Sequence, residues 1–303
     1  MGFTRRDFGL SAATGLAAAA VPGWASARIS LGNKWIETVS DGYLTLPPEF
    51  LFGGLEPDAL QQALEQYGLP AGPLTPEVNV TLLREDSRVV LFDAGAGPGF
   101  QDSAGNLSGA LEVLGVTPDQ VTHVVFTHCH PDHLWGVLDD FDDLLFPDAA
   151  YLMGQGEWEY WLDPQTADSI GSSRTAMAIG ARRRMEQLED KVQLFRDGEE
   201  ILPGVAAHAT PGHTPGHMSF EVRDGSNSVL VLGDAVGNHH VSFADPGRPV
   251  GADQEPQAAA AARMRLLDRL AAEQMQLIGY HLPGGGIGRA ERIGSGYRFV
   301  PAV

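Results

Sequence analysis

Three apolar runs in this chain stop abruptly on side chains that can bind metal. His123-Val124-Val125-Phe126 leads into Thr127-His128-Cys129-His130-Pro131-Asp132-His133, Val229-Leu230-Val231-Leu232-Gly233 ends at Asp234, and Leu277-Ile278-Gly279-Tyr280 ends at His281. A further histidine, His213, lies in the turn "TPGHTPGH" after the strand-like "GVAAHAT". Short apolar runs bounded by turn residues read as buried strands. Groups at their ends are held by a rigid sheet yet open onto the loop face, where sites are built. With 303 residues, 43% of them hydrophobic, the chain can bury a large core. Strand-rich halves, each followed by helical patterns, point to a layered α/β fold in a single domain, because no Ser/Gly-rich or Pro-rich linker divides it.

The local patterns predict the elements. "WIETVSDGYLTL" reads as a strand with a turn at Asp41-Gly42, and "VNVTLLRED" with "SRVVLFDAG" reads as a hairpin. Helical spacing marks "EPDALQQALEQYG", "LSGALEVLG" up to Gly115, and "EPQAAAAARMRLLDRLAAEQM", where Pro256 suits a first turn. "VQLF" is expected to pair with "GVAAHAT" and "HMSFEVRD" with "NSVLVLGD", leaving "QLIGYH" as the final strand.

On an extended segment alternate side chains share a direction, so His128 and His130 point one way. Asp132 and His133, past Pro131, can turn towards a second position. One metal takes about three or four protein ligands, so four groups in two directions suggest a pair of metals. Cys129, between two ligands on the opposite face, reads as a packed core residue, and as the lone cysteine it excludes an intrachain disulfide. His217 and the pair His239-His240 read as structural or loop histidines, and His123 and His208 as strand residues. Gly284 to Gly286 lack the lysine and following helix of a phosphate loop and read as a turn beside His281.

Taken together, the pieces "LFDAG", "THCHPDH", "GHTPGH", "VLGD" and "GYH" resemble, in their order, the metallo-β-lactamase-fold hydrolases. The stretches "FPDAAYL", "EYWL" and "HLPGGGIGRAERIGSGYRFVP" are similar to methyl parathion hydrolase and its lactonase relatives. The resemblance implies an αββα sandwich over residues 28–303 with a binuclear site at one edge, and zinc as the preferred pair of divalent ions. It implies that His128, His130 and His213 hold one ion, that Asp132, His133 and His281 hold the other, and that Asp234 bridges them. Asp93 would orient a ligand imidazole through its second nitrogen. Phe100, Tyr160 and Trp161 match positions of a hydrophobic substrate pocket. Two ions can share a hydroxide and polarise the oxygen under attack, so the expected reaction is hydrolysis of lactones, aryl esters or phosphotriesters, with Asp132 as a candidate proton donor to the leaving group.

Competing readings are a thioesterase, β-lactamase or nuclease of the same fold, an iron-loaded sulfur-handling oxygenase, and a binding protein without catalysis. The balance of 39 acidic against 20 basic residues, a formal charge of -19, disfavours nucleic acid and anionic membranes as partners. A small-molecule substrate and, from the resemblance, a homodimer are expected. Residues 1–27 carry Arg5-Arg6, a mildly apolar stretch and Ala25-Ser26-Ala27, the pattern of a twin-arginine-type export signal. The run is short and broken at Pro22-Gly23, which argues against a spanning helix, so a periplasmic or secreted protein is expected.

Overall fold

The computed structural model describes residues 28–52 and 55–302, so the expected export signal lies outside the described residues. Among these, fourteen strands form two seven-stranded sheets, each following chain order. The first sheet holds β1 (Arg28–Leu31), β2 (Lys34–Tyr43), β3 (Glu77–Glu85), β4 (Arg88–Phe92), β5 (His123–Phe126), β6 (Ala150–Gly154) and β7 (Val192–Phe195). It runs antiparallel to β4 and parallel from there, with helical crossovers. The second holds β8 (Glu200–Leu202), β9 (Val205–Ala209), β10 (Met218–Asp224), β11 (Asn227–Val231), β12 (Gln276–Ile278), β13 (Ile287–Ile293) and β14 (Gly296–Pro301). There only β11 and β12 pair in parallel, and the helix Pro256–Glu273 connects them.

The two-residue period of a strand sorts its side chains between two layers. On β4, Val90 and Phe92 enter the core between the sheets, while Leu91 joins the outer core with Leu111, Ala181 and Met185 from the covering helices. On β11, Val229 and Val231 face the first sheet, and Leu230 packs with Leu266, Leu267 and Leu270 of the helix Pro256–Glu273. Phe92 and Phe220 meet across the inner layer with ring centroids 5.4 Å apart. The result is helix, sheet, sheet, helix: the αββα sandwich.

Three local expectations change. Asp41-Gly42 is a bulge inside β2, not a turn. Gly42 has φ 114°, and a Cβ there would lie 2.1 Å from the Ser103 carbonyl oxygen. "VQLF" pairs with β6, while "GVAAHAT" pairs with β8 and β10. The chain changes sheets between them, because the three-residue strand β8 supplies β9 with a nearer hairpin partner. "QLIGYH" is followed by the β13–β14 hairpin, built from the Gly-rich tail.

Candidate metal centre

The chain leaves β4, β5, β9, β11 and β12 at the same edge of the sandwich, and each exit delivers part of one cluster. His128, His130 and His213 form one group able to hold an ion, Asp132, His133 and His281 a second, and His128, His133 and Asp234 a third that links them. All but the half-buried His281 are buried. His130 Nδ1 and His213 Nε2 converge to 2.9 Å. Asp234 turns Oδ1 to His133 Nε2 at 3.4 Å and Oδ2 to His213 and His281, both at 3.3 Å. Asp132 Oδ2 lies 3.2 Å from His281 Nε2 and 3.4 Å from His133 Nε2.

The outward nitrogen of each imidazole is anchored. His133 Nδ1 meets Asp93 Oδ2 at 2.8 Å, and Asp93 also accepts from the Thr127 backbone and hydroxyl. His128 Nδ1 meets the Thr127 hydroxyl at 3.0 Å, and His281 Nδ1 donates to the Glu77 carbonyl at 2.7 Å. His213 Nδ1 faces Asp253 Oδ1 at 3.1 Å, and buried Arg263 backs Asp253 at 3.4 Å. His130 Nε2 meets the Gln254 side-chain amide at 3.2 Å. Such partners fix which nitrogen faces inward.

Among the described residues His128 Nε2, Asp132 Oδ2, His133 Nε2 and Asp234 Oδ1 are buried without a hydrogen-bond partner. Four orphaned polar atoms at one point are costly unless something binds them. Burial drives the His128 and His130 pKa values well below the ordinary histidine range, leaving bare nitrogens. Burial opposes charge on Asp234, yet His281 and His133 hold it well below the usual carboxylate range. Burial likewise opposes charge on His133, but Asp234, Asp132 and Asp93 push it up to about 10. The carboxylates thus demand positive charge beside them. Bare nitrogens on His128 and His130, and carboxylates that hold a proton on His133 where a cation could replace it, fit divalent ions.

The cluster floors a cavity of about 630 Å3. Its wall is mainly apolar, with Leu46, Phe50, Leu51, Leu74, Phe100 and Val250 among the lining residues. Phe100 packs edge-on against Trp135 at 5.5 Å. Tyr160 and Trp161 stand behind the ligands instead of in the cavity. Trp161 is buried, lies 5.8 Å from the His130 ring and donates to Glu157, while the Tyr160 hydroxyl donates to Gln254 at 2.7 Å. His217 is structural: its Nε2 accepts the Asp234 backbone N–H at 3.0 Å. His239 and His240, read from sequence as loop histidines, line the cavity.

Sequence reasoning passed over the braces. Buried Glu157, on the helix Gln155–Leu162, accepts from Cys129 N at 2.9 Å, Thr214 Oγ1 at 2.7 Å and Gly216 N at 3.1 Å. It therefore ties the His128–His130 loop to the His213 loop. The approach is close: a Cβ on Gly216 would lie 2.1 Å from Glu157 N. Asp41 accepts from Ala96, Gly105 and Leu107 backbone N–H groups beside the site, and burial, against those bonds, raises its pKa to about 6. Nothing in the spacing announces either residue, because their partners are distant in sequence.

Comparisons with known proteins agree with this geometry. The chain is 29% identical over 125 residues to the N-acyl homoserine lactonase AttM of Azorhizobium caulinodans, covering 40% of this chain and 43% of that one. It spans about half the length of several curated relatives that it matches. A solved hydrolase of the beta lactamase superfamily, AbOPH, superposes with a TM-score of 0.82 at 26% identity, over 92% of this chain and 97% of that one. AidC, a dizinc quorum-quenching lactonase with bound product, shares the fold with a TM-score of 0.84 at 20% identity over the same shares. The model of the metallo-beta-lactamase superfamily matches residues 75–272, a stretch that contains His128, His130, Asp132, His133, His213 and Asp234, and the chain belongs to that superfamily.

Proposed function

We propose that the protein is a hydrolase that uses two divalent ions, zinc by preference, to cleave lactones, aryl esters or phosphotriesters. The observation that carries this reading is the set of orphaned imidazole and carboxylate atoms converging on the floor of an apolar cavity. His128, His130 and His213 would hold one ion, Asp132, His133 and His281 the other, and Asp234 both. Bound ions of this kind make a nucleophile from water near neutral pH and withdraw electrons from the carbonyl or phosphoryl oxygen under attack. The chain itself supplies position and exclusion. Asp93, Asp253 and the Glu77 carbonyl hold ligand rings in one orientation, and the wall around Phe100 receives a neutral apolar substrate while shedding water. Asp132, on the cavity floor, would take the proton released by the attacking water and pass it to the leaving group.

The acidic surface suits a small neutral substrate better than a polyanion. No helix among the described residues is long and apolar enough to cross a membrane. Export through the twin-arginine-type signal and assembly as a homodimer belong to the same proposal. A mature N-terminus at Arg28 in an extracytoplasmic fraction is the expected mark of export, and one at Met1 contradicts it. The substrate class is tested by turnover of a methyl aryl phosphotriester against turnover of an acyl homoserine lactone, with ions counted. A ratio well above one places the pocket with organophosphates, and one well below one places it with lactones. Turnover of neither, nor of an aryl ester, with ions bound, overturns the proposal.

A further inference from the structure

Ten titratable side chains line the cavity, and among the described residues only His239 and His240 have no side-chain hydrogen bond or ion pair. Each of the others is engaged. Glu77 accepts from Gly284 and Gly285, Asp253 meets His213 and Arg263, and the remainder belong to the metal cluster. The two imidazoles face each other with ring centroids 3.6 Å apart at 41°. Their backbone is held from behind. Asn238 Oδ1 accepts from the His240 and Ser242 N–H groups at 3.2 and 3.1 Å, and Asn238 Nδ2 donates to Ser242 Oγ at 2.8 Å. The loop also starts just after Asp234, so the pair is presented over the floor by a short, braced segment.

We propose that His239 and His240 form a polar subsite that hydrogen-bonds a neutral group of the substrate, such as an amide, carbonyl or hydroxyl, beside the bond being cleaved. This inference rests on the hydrolase reading and adds the recognition element to it. Half-burial pushes both rings below the ordinary histidine range, and His240 helps to bring His239 to about 4. At neutral pH each ring is uncharged and offers one N–H donor and one bare nitrogen. Such a pair matches a group that both accepts and donates. It offers an anion no countercharge. Against an otherwise apolar wall, two oriented polar rings discriminate strongly, because a substrate lacking the matching group leaves them unpaired.

The test compares an N-acyl amino lactone with the amide-free γ-lactone of equal chain length, using ion-loaded wild type and His239→Leu/His240→Leu. Neither ring bonds to the protein, so the variant should keep its fold and ion count, which circular dichroism and metal analysis check. The expected result is a roughly tenfold rise in KM for the amide lactone, with kcat for both substrates and KM for the amide-free lactone unchanged within about twofold. A His239→Gln/His240→Gln variant should recover most of the lost affinity. KM values that move together, or not at all, overturn the subsite while leaving the hydrolase reading intact. If wild type opens neither lactone, the lactone arm of the hydrolase reading falls and takes the subsite with it.

Discussion

The floor and roof of the cavity are built by opposite means. The floor is a set of strand ends: each ligand leaves a paired strand within a few residues, and its outward nitrogen is fixed by a partner such as Asp93, Asp253 or the Glu77 carbonyl. The roof is made of short helices, Glu49–Phe52, Pro57–Gln66 and Val241–Ala244, and the loops between them. Leu46 and Leu74 bridge, and Phe52 and Leu64 pack on Val241 and Val250. A rigid floor can hold reacting groups to a fraction of an ångström, whereas an apolar roof of short helices and loops can change its shape without disturbing them. Chemistry should therefore respond to floor substitutions and substrate choice to roof substitutions.

The sharpest way to break that contrast is Asp234→Ala. It removes the carboxylate that faces both triads, so bound ions and turnover should fall together, by more than about a hundredfold. Full turnover in that variant would remove the bridging role. Glu157→Gln should come next. All four of its partners, Cys129 N, Trp161 Nε1, Thr214 Oγ1 and Gly216 N, are donors, so an amide presents N–H to at least one donor, and affinity for the ion held by His128, His130 and His213 should drop about ten- to a hundredfold. Metal titration reads this independently of activity. Phe100→Ala, on the roof, should cost roughly 1 kcal/mol of substrate binding, about fivefold in KM, with the ion count unchanged. A loss of ions would show that roof and floor are coupled.

The smallest effect lies outside both regions. Burial alone would raise the pKa of Glu221, but Arg223 and Arg269 outweigh it and lower it from 4.5 to about 2. Because the folded value is depressed, the stabilisation is present above 4.5 and is lost as pH falls towards 2. Glu221→Gln should flatten that part of a melting-temperature profile while leaving ion content and KM untouched. An unchanged profile would mean that solvent screens the cluster completely.

The same contrast explains what was legible in the sequence. The floor could be read because ligand spacing in "THCHPDH" is local, and because Asp234 and His281 each close an apolar run. The layered fold followed from the same runs. The roof could not be read, since residues 44–52 and 55–76, Phe100 and the 237–252 segment meet through packing and backbone hydrogen bonds between segments distant in sequence. Tyr160 and Trp161 matched pocket positions, yet the helix Gln155–Leu162 turns Trp161 towards Glu157 and Tyr160 towards Gln254. "VQLF" was matched with the wrong sheet because its half-exposed pattern, with Leu194 at 44% exposure, carries little information about its partner.

The most direct test of the two-ion floor is the number of divalent ions per chain in purified wild type and Asp234→Ala, measured alongside lactone and phosphotriester turnover. About two ions are expected in the wild type, with chelation abolishing turnover and ion return restoring it, and a loss of ions in the variant. Wild-type protein that hydrolyses either substrate at full rate after complete ion removal would contradict it.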